Sequence, residues 1–239
     1  MGGGSGRGNS AACCLLPDTH VWLDDGTMRK QIGTAILPLG PGDLEVFRAA
    51  LSAALEGYAH PNEIAEQIRL NSFSMVLTPE ESAGLTDARR VELAQLALAW
   101  KRADEATWPA VTDNNRLHAA FLVLEGRGLV CRENFLCCSS CARAEMDDEI
   151  AIQQEEGKSP RGYAFFHEQD LAASCFEGKP LKIVCGPADW KAPDAESIGS
   201  EVREELERAG LSVRERFVSS TPIKLFDVDL VWRKRMPGR

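Results

Sequence analysis

The 239-residue chain is long enough for one large domain or two smaller ones, and its composition is that of a globular protein. Apolar residues make up 44% and charged residues 26%, which argues against a disordered chain. The net charge of −9 argues against a general binder of nucleic acid or anionic membranes, because such proteins present a basic face.

The sequence contains no signal for a membrane. No stretch approaches the roughly 20 consecutive apolar residues of a membrane-spanning helix, and the apolar segment at 11–16 is too short for the core of a signal peptide. We therefore expect a cytoplasmic protein that contacts neither membrane nor nucleic acid. In a reducing compartment its eight cysteines are more typical of free thiols or metal ligands than of disulfides.

The N-terminal part divides into three predicted segments. Residues 1–12 are rich in Gly and Ser and predict a flexible tail. Residues 13–42 form a short strand and loop segment, in which 19–36 has strand character around the turn signal Asp24-Asp25-Gly26. Residues 43–106 are predicted to be helical because apolar side chains recur at helical spacing. Those inward-facing positions are Leu44, Phe47, Leu51, Leu55, Ile64, Ile68, Leu93, Leu96, Ala97 and Trp100.

Residues 107–236 predict an α+β domain. Helices and strands alternate, and the last two strands follow one another closely. The predicted strands are 129–135, 162–167, 181–185, 211–217 and 223–232, and helices are predicted after Asp113 and over 145–156 and 196–209. The fold class is therefore α+β, with a mixed or antiparallel sheet and packed helices, preceded by a mainly helical N-terminal region.

Four of the eight cysteines lie between Cys131 and Cys141, where a predicted strand gives way to a predicted helix. Cys138 and Cys141 have the spacing with which two thiolates reach one tetrahedral zinc ion. Cys137 is a candidate third ligand and His167, at the end of a strand, a candidate fourth. Cys131 is an alternative for either of these two. The predicted metal ligands are thus Cys137, Cys138, Cys141 and His167, with zinc as the metal.

Two other interpretations of the cluster remain open. Cys137 or Cys138 at a helix N-terminus is typical of a reactive thiol, with Cys141 as its resolving partner. Alternatively the thiols are small apolar side chains buried at a strand–helix junction. We expect Cys175 and Cys185 to be core residues, and the sequence has no phosphate loop, dinucleotide fingerprint or nucleophile elbow.

Four elements resemble a bacterial domain family of unknown function, DUF6891. They are Thr107-Trp108-Pro109-Ala110-Val111-Thr112-Asp113, Asn134-Phe135-Leu136-Cys137-Cys138-Ser139-Ser140-Cys141 with Glu145, Gly162-Tyr163-Ala164-Phe165-Phe166-His167, and Trp232-Arg233-Lys234-Arg235. The resemblance covers roughly residues 55–236, and its Cys-Cys-x-x-Cys element is the most specific part. It implies no activity, and it directs attention to the thiols and to His167.

The sequence predicts a binding or interaction module with a structural zinc site, whose partner is another protein. The rival hypothesis is a thiol-based redox sensor or an enzyme that uses Cys137 or Cys138. The sequence does not decide whether the protein is an enzyme, and it selects no ligand and no oligomeric state.

Overall fold

The computed structural model describes residues 23–24, 27–32, 35–39, 41–70, 77–78, 82, 84–189, 195–217 and 222–238. Their contacts form two compact units, one of residues 113–232 and one of the residues up to 112 together with 233–238. The predicted tail over 1–12, Cys13, Cys14 and the turn residues Asp25 and Gly26 lie outside the described residues. No helix within the described ranges is long and apolar enough to cross a bilayer.

The N-terminal unit combines a small sheet with helices. Its described strands pair antiparallel in chain order: β1 (Leu23–Asp24), β2 (Thr27–Ile32) and β3 (Ala35–Leu39). Its helices are α1 (Pro41–Glu56), α2 (Pro61–Arg69) and α3 (Asp87–Glu105). Phe47, Ile64 and Leu93 are buried in the shared core, which confirms the helical periodicity of this region.

The basic C-terminal segment 233–238 packs on these helices. Lys101 is fully buried, and its Nζ donates to the backbone oxygen of Lys234 at 2.8 Å. The Lys101 ammonium also lies 3.4 Å from Glu105 Oε1 and 4.1 Å from the centre of the Trp108 ring. A buried charge needs such partners. The C-terminal segment 233–238 therefore forms part of the core of this unit.

The unit of residues 113–232 is an α+β fold around a five-stranded sheet. The strand order is β4-β5-β6-β8-β7; β4 and β5 are parallel and the other neighbouring pairs are antiparallel. In chain order its elements are α4 (Asp113–Gly126), β4 (Leu129–Arg132), α5 (Ser139–Glu155), β5 (Gly162–Phe165), α6 (Glu168–Glu177), β6 (Leu181–Pro187), α7 (Ala195–Arg208), β7 (Ser212–Arg216) and β8 (Lys224–Asp229). The predicted α+β class and mixed sheet are confirmed.

Aromatic side chains join the elements of this unit. Phe166, directly after β5, is fully buried and contacts Phe121 of α4 and Trp232 at ring-centre distances of 6.4 and 6.0 Å. Met146 of α5 packs against the sheet with Phe165. Helix α5 is therefore fixed on the sheet by its apolar face, and its first residue follows β4 after a six-residue loop (133–138).

Candidate metal site

The loop between β4 and α5 positions the cysteines through a backbone geometry that could not be predicted from the sequence. The predicted strand 129–135 ends at Arg132, and Asn134 and Leu136 adopt left-handed conformations with φ of 49° and 59°. Such angles cost energy for residues with a side chain, and surrounding contacts must maintain them. The Phe135 N–H donates to the Phe166 oxygen at 2.8 Å, and the Glu168 N–H donates to the Leu136 oxygen at 2.9 Å.

The turn brings three thiols to the first turn of α5. The sulfurs of Cys137, Cys138 and Cys141 lie within 4.8 Å of one another, in an arrangement that could hold a metal ion. Cys137 and Cys141 are exposed and Cys138 is half-buried. The buried-thiol interpretation is therefore wrong for these three cysteines.

The thiols of Cys138 and Cys141 differ in pKa because they occupy different positions at the start of α5. Cys138 is the N-cap of α5 in extended conformation, and Cys141 lies three residues later. Hydrogen bonds, above all from the Cys141 backbone N–H, hold the pKa of Cys138 below that of a free thiol, as expected where helix N–H groups favour a thiolate. Hydrogen bonding to the sulfurs of Cys137 and Cys138 raises the pKa of Cys141 to about 11.

His167, the predicted fourth ligand, is not part of the group formed by the three thiols. It is the N-cap of α6, where its Nδ1 accepts the Asp170 backbone N–H at 3.3 Å. Its Nε2 lies 2.8 Å from Asp170 Oδ2 and 2.8 Å from Ser139 Oγ. Because Nδ1 accepts, the neutral ring carries its proton on Nε2, and neither nitrogen is available to a metal in this arrangement. Burial lowers the pKa of His167 and favours this neutral form.

Ser139 gives His167 a connection to the thiols that the sequence did not suggest. Ser139 lies between Cys138 and Cys141 in the chain, at the first position of α5, and its hydroxyl meets the buried imidazole. The contact ties the N-terminus of α5 to that of α6. His167 as a ligand stays a prediction; in this structure its contacts are those of a group that orients α5, the helix that carries the thiols.

The remaining described cysteines belong to the core. Cys131, the alternative ligand, is buried in β4 and is not part of the thiol group. Cys175 and Cys185 are buried as predicted, and burial raises the pKa of the Cys131 and Cys185 thiols well above the usual range. Glu145, one turn after Cys141, is exposed and is likewise outside the thiol group.

Comparison with known families assigns most of the chain to one family profile. The profile of the family described as "Domain of unknown function (DUF6891)" matches residues 45–236, which is most of the chain. This chain belongs to the DUF6891 family. The match begins about ten residues before residue 55, where the resemblance seen in the sequence begins, and it contains the thiol group and His167.

The DUF6891 match spans both structural units, since it runs from α1 to the C-terminal segment that packs on the helices. No curated protein matches the chain. The family description assigns no activity, so any function must be argued from the residues of this chain.

Proposed function

We propose that this DUF6891 protein is a cytoplasmic binding module that holds a zinc ion through Cys137, Cys138 and Cys141. The single observation that supports the proposal is the position of three exposed or half-exposed sulfurs within 4.8 Å of one another. In a tetrahedral site with Zn–S bonds of about 2.3 Å, neighbouring sulfurs are roughly 3.8 Å apart. Small rotations of the side chains would bring the three sulfurs to that spacing.

The zinc ion would have one coordination position beyond the three thiolates. His167 reaches it only by giving up its cap on α6 and its contact with Ser139. A donor atom from another protein needs no such rearrangement, because Cys137 and Cys141 are exposed. We therefore propose that this position is the point at which a protein partner binds the module.

Metal content tests the proposal directly. We expect close to one zinc per chain in protein purified without chelator, and none in the variant Cys137→Ser, Cys138→Ser, Cys141→Ser, measured by elemental mass spectrometry. The control is Cys13→Ser, Cys14→Ser, which removes two cysteines elsewhere in the sequence and should keep the zinc. A folded, fully reduced wild type that takes up no zinc from a zinc-containing buffer would contradict the proposal.

The N-cap position of Cys138 favours a second candidate, thiol–disulfide exchange. The Cys138 thiolate would attack a disulfide of a substrate, displace one substrate thiolate and form a mixed disulfide. The Cys141 thiolate would then attack Cys138, which releases the second substrate thiolate and leaves a Cys138–Cys141 disulfide. The two electrons pass to the substrate disulfide.

Oxidised glutathione distinguishes the two candidates. In the redox candidate, zinc-free protein forms the Cys138–Cys141 disulfide, detected as a cross-linked peptide, and a reduced dithiol reverses it. In the zinc candidate, zinc-loaded protein stays reduced under the same conditions, because the thiolates are engaged by the metal. Rapid formation of the disulfide in the presence of saturating zinc would favour the redox function.

A further inference from the structure

A cavity of about 500 Å³ opens beside the first turns of α5, on a side of the helix that the thiols do not line. Its volume is within the range of small-molecule sites, about 300–1,000 Å³. Ser140, Arg143 and Asp147 line it from the helix, and Pro187 and Ile223 contribute apolar wall. The cavity thus combines an apolar surface with a few polar groups, which is the usual composition of a ligand site.

Two side chains of opposite charge line this cavity and form no ion pair with each other. Arg143 and Asp147 are four residues apart on α5, a spacing at which opposite charges commonly pair on a helix surface. Neither side chain makes an ion pair or hydrogen bond within the described part of the chain. Both therefore retain their full capacity to bind a ligand of the opposite charge.

A buried tyrosine supplies a third polar group. Tyr163 of β5 is only 9% exposed, its ring stacks on Phe165, and it lines the cavity. Its hydroxyl makes no hydrogen bond to any described residue. Gly186 leaves room for it, since a Cβ there would lie 2.8 Å from the Tyr163 oxygen. Burial raises the pKa of Tyr163 to about 12, so the hydroxyl is a hydrogen-bond donor at neutral pH.

We propose that this cavity binds a small zwitterion of the amino acid type with an aliphatic side chain. Arg143 and the Tyr163 hydroxyl hold the carboxylate, and Asp147 holds the ammonium group. The aliphatic part lies against Pro187 and Ile223. A simple anion would face the negative charge of Asp147 and a simple cation the positive charge of Arg143, so the two charges together select a molecule that carries both.

The two tyrosines of the chain make the proposal measurable. Ring-labelled tyrosine gives two sets of NMR signals, from Tyr163 in the cavity and from Tyr58 in the N-terminal unit, and Tyr→Phe variants assign them. We expect L-norleucine to shift the Tyr163 signals saturably and to leave those of Tyr58 in place. Hexanoate lacks the ammonium group and pentylamine lacks the carboxylate, and each should bind about 3- to 10-fold more weakly, as expected for loss of one charged contact.

Surface variants test the assigned contacts without disturbing the core. Arg143→Gln and Asp147→Asn should each weaken norleucine binding by about 3- to 10-fold. Arg203→Gln, which removes an exposed arginine of α7, should leave binding unchanged. The thiol variant Cys137→Ser, Cys138→Ser, Cys141→Ser should bind as the wild type does, which separates this site from the zinc proposal.

Three results would overturn the assignment. The first is a Tyr163 signal that norleucine does not move at millimolar concentration. The second is binding of hexanoate or pentylamine that equals that of norleucine. The third is unchanged norleucine affinity in both Arg143→Gln and Asp147→Asn.

Discussion

Cys138 and Cys141 are chemically different because the helix meets them at different positions. Cys138 is the N-cap of α5, so its side chain lies next to the backbone N–H groups of the first turn, including that of Cys141. These contacts stabilise the thiolate and lower the pKa of Cys138. Cys141 donates to neighbouring sulfurs, and its thiol form is favoured, with a pKa of about 11. Because its pKa is lowered, Cys138 ionises more readily than Cys141, and it is the first of the two to bind a metal or attack an electrophile.

In metal-free protein at pH 7, we therefore expect iodoacetamide to modify Cys138 faster than Cys141. The difference between the two modification rates should become smaller as the pH approaches 11, because Cys141 then ionises as well. Peptide mapping by mass spectrometry after timed quenching measures both rates. Cys175 and Cys185, which are buried, should stay unmodified while the protein is folded and so report its integrity. Equal rates at pH 7 would contradict the N-cap assignment.

A variant of His167 shows whether this residue is a metal ligand or orients α5. For His167→Gln we expect a loss of about 1–3 kcal/mol in the free energy of unfolding, because α6 loses its cap and Asp170 a partner. Zinc stoichiometry should be retained, since the three thiolates remain. Elemental analysis and urea unfolding measure the two effects.

The chain offers a matched control for this variant. His60 is also a histidine N-cap, on α2 in the N-terminal unit, with a capping box to Glu63. His60→Gln should weaken its helix and leave zinc unaffected. Loss of zinc from His167→Gln alone would restore His167 as the fourth ligand that the sequence predicts.

At the scale of elements, the C-terminal segment 233–238 completes the N-terminal unit. Lys101 is buried and finds an acceptor in the Lys234 backbone oxygen, while Met236 N–H donates to Glu105 at 2.9 Å. Gly57, at φ 76°, lets the segment approach, because a Cβ there would lie 2.7 Å from that same oxygen. The helices and the distant tail therefore form one packed structure.

We expect deletion of residues 234–239 to lower the free energy of unfolding of the N-terminal unit by about 1–3 kcal/mol, because Lys101 loses a buried acceptor. Lys234→Ala is the matched control, since it keeps the backbone oxygen and removes the side chain beyond Cβ, whose ammonium lies 4.3 Å from the Tyr58 ring centre. Urea unfolding followed by circular dichroism measures both. A deletion no more harmful than Lys234→Ala would show that the acceptor contributes little.

The elements that the sequence predicts well are those specified by local pattern. The helical spacing of apolar residues such as Phe47, Ile64 and Leu93 determines these helices largely by itself. The thiol group was also predicted, because its three members lie within five residues.

The features that could not be predicted depend on contacts between distant residues. A hydrogen bond from the Glu168 N–H helps to maintain the left-handed conformation of Leu136. The backbone oxygen of Lys234 accepts a hydrogen bond from the buried Lys101 ammonium. The engagement of His167 with Ser139 likewise joins two helix ends 28 residues apart. The local sequence does not predict such contacts between distant residues.

At the scale of the whole molecule, none of the three cysteines of the thiol group belongs to a described apolar core. The cores are built from residues such as Phe47 and Phe165, and the exposed cysteines contribute nothing to them. The three thiols also lie within five residues, so an unfolded chain keeps most of its capacity to bind zinc. Metal that binds folded and unfolded chains alike changes stability little.

We therefore expect chelation of zinc to leave the protein folded, with unchanged far-ultraviolet circular dichroism and a change of less than about 1 kcal/mol in the free energy of unfolding. A site completed by His167 would behave differently. The metal would then close the loop between Cys141 and His167, and closing that loop in the unfolded chain costs entropy. The metal would therefore bind the folded chain more tightly and stabilise it. Urea titrations with and without chelator separate these cases, and the triple Cys→Ser variant should show no chelator effect in either. Unfolding of the wild type by chelator alone would make the zinc a structural element of the α+β unit and require a fourth ligand distant in the chain.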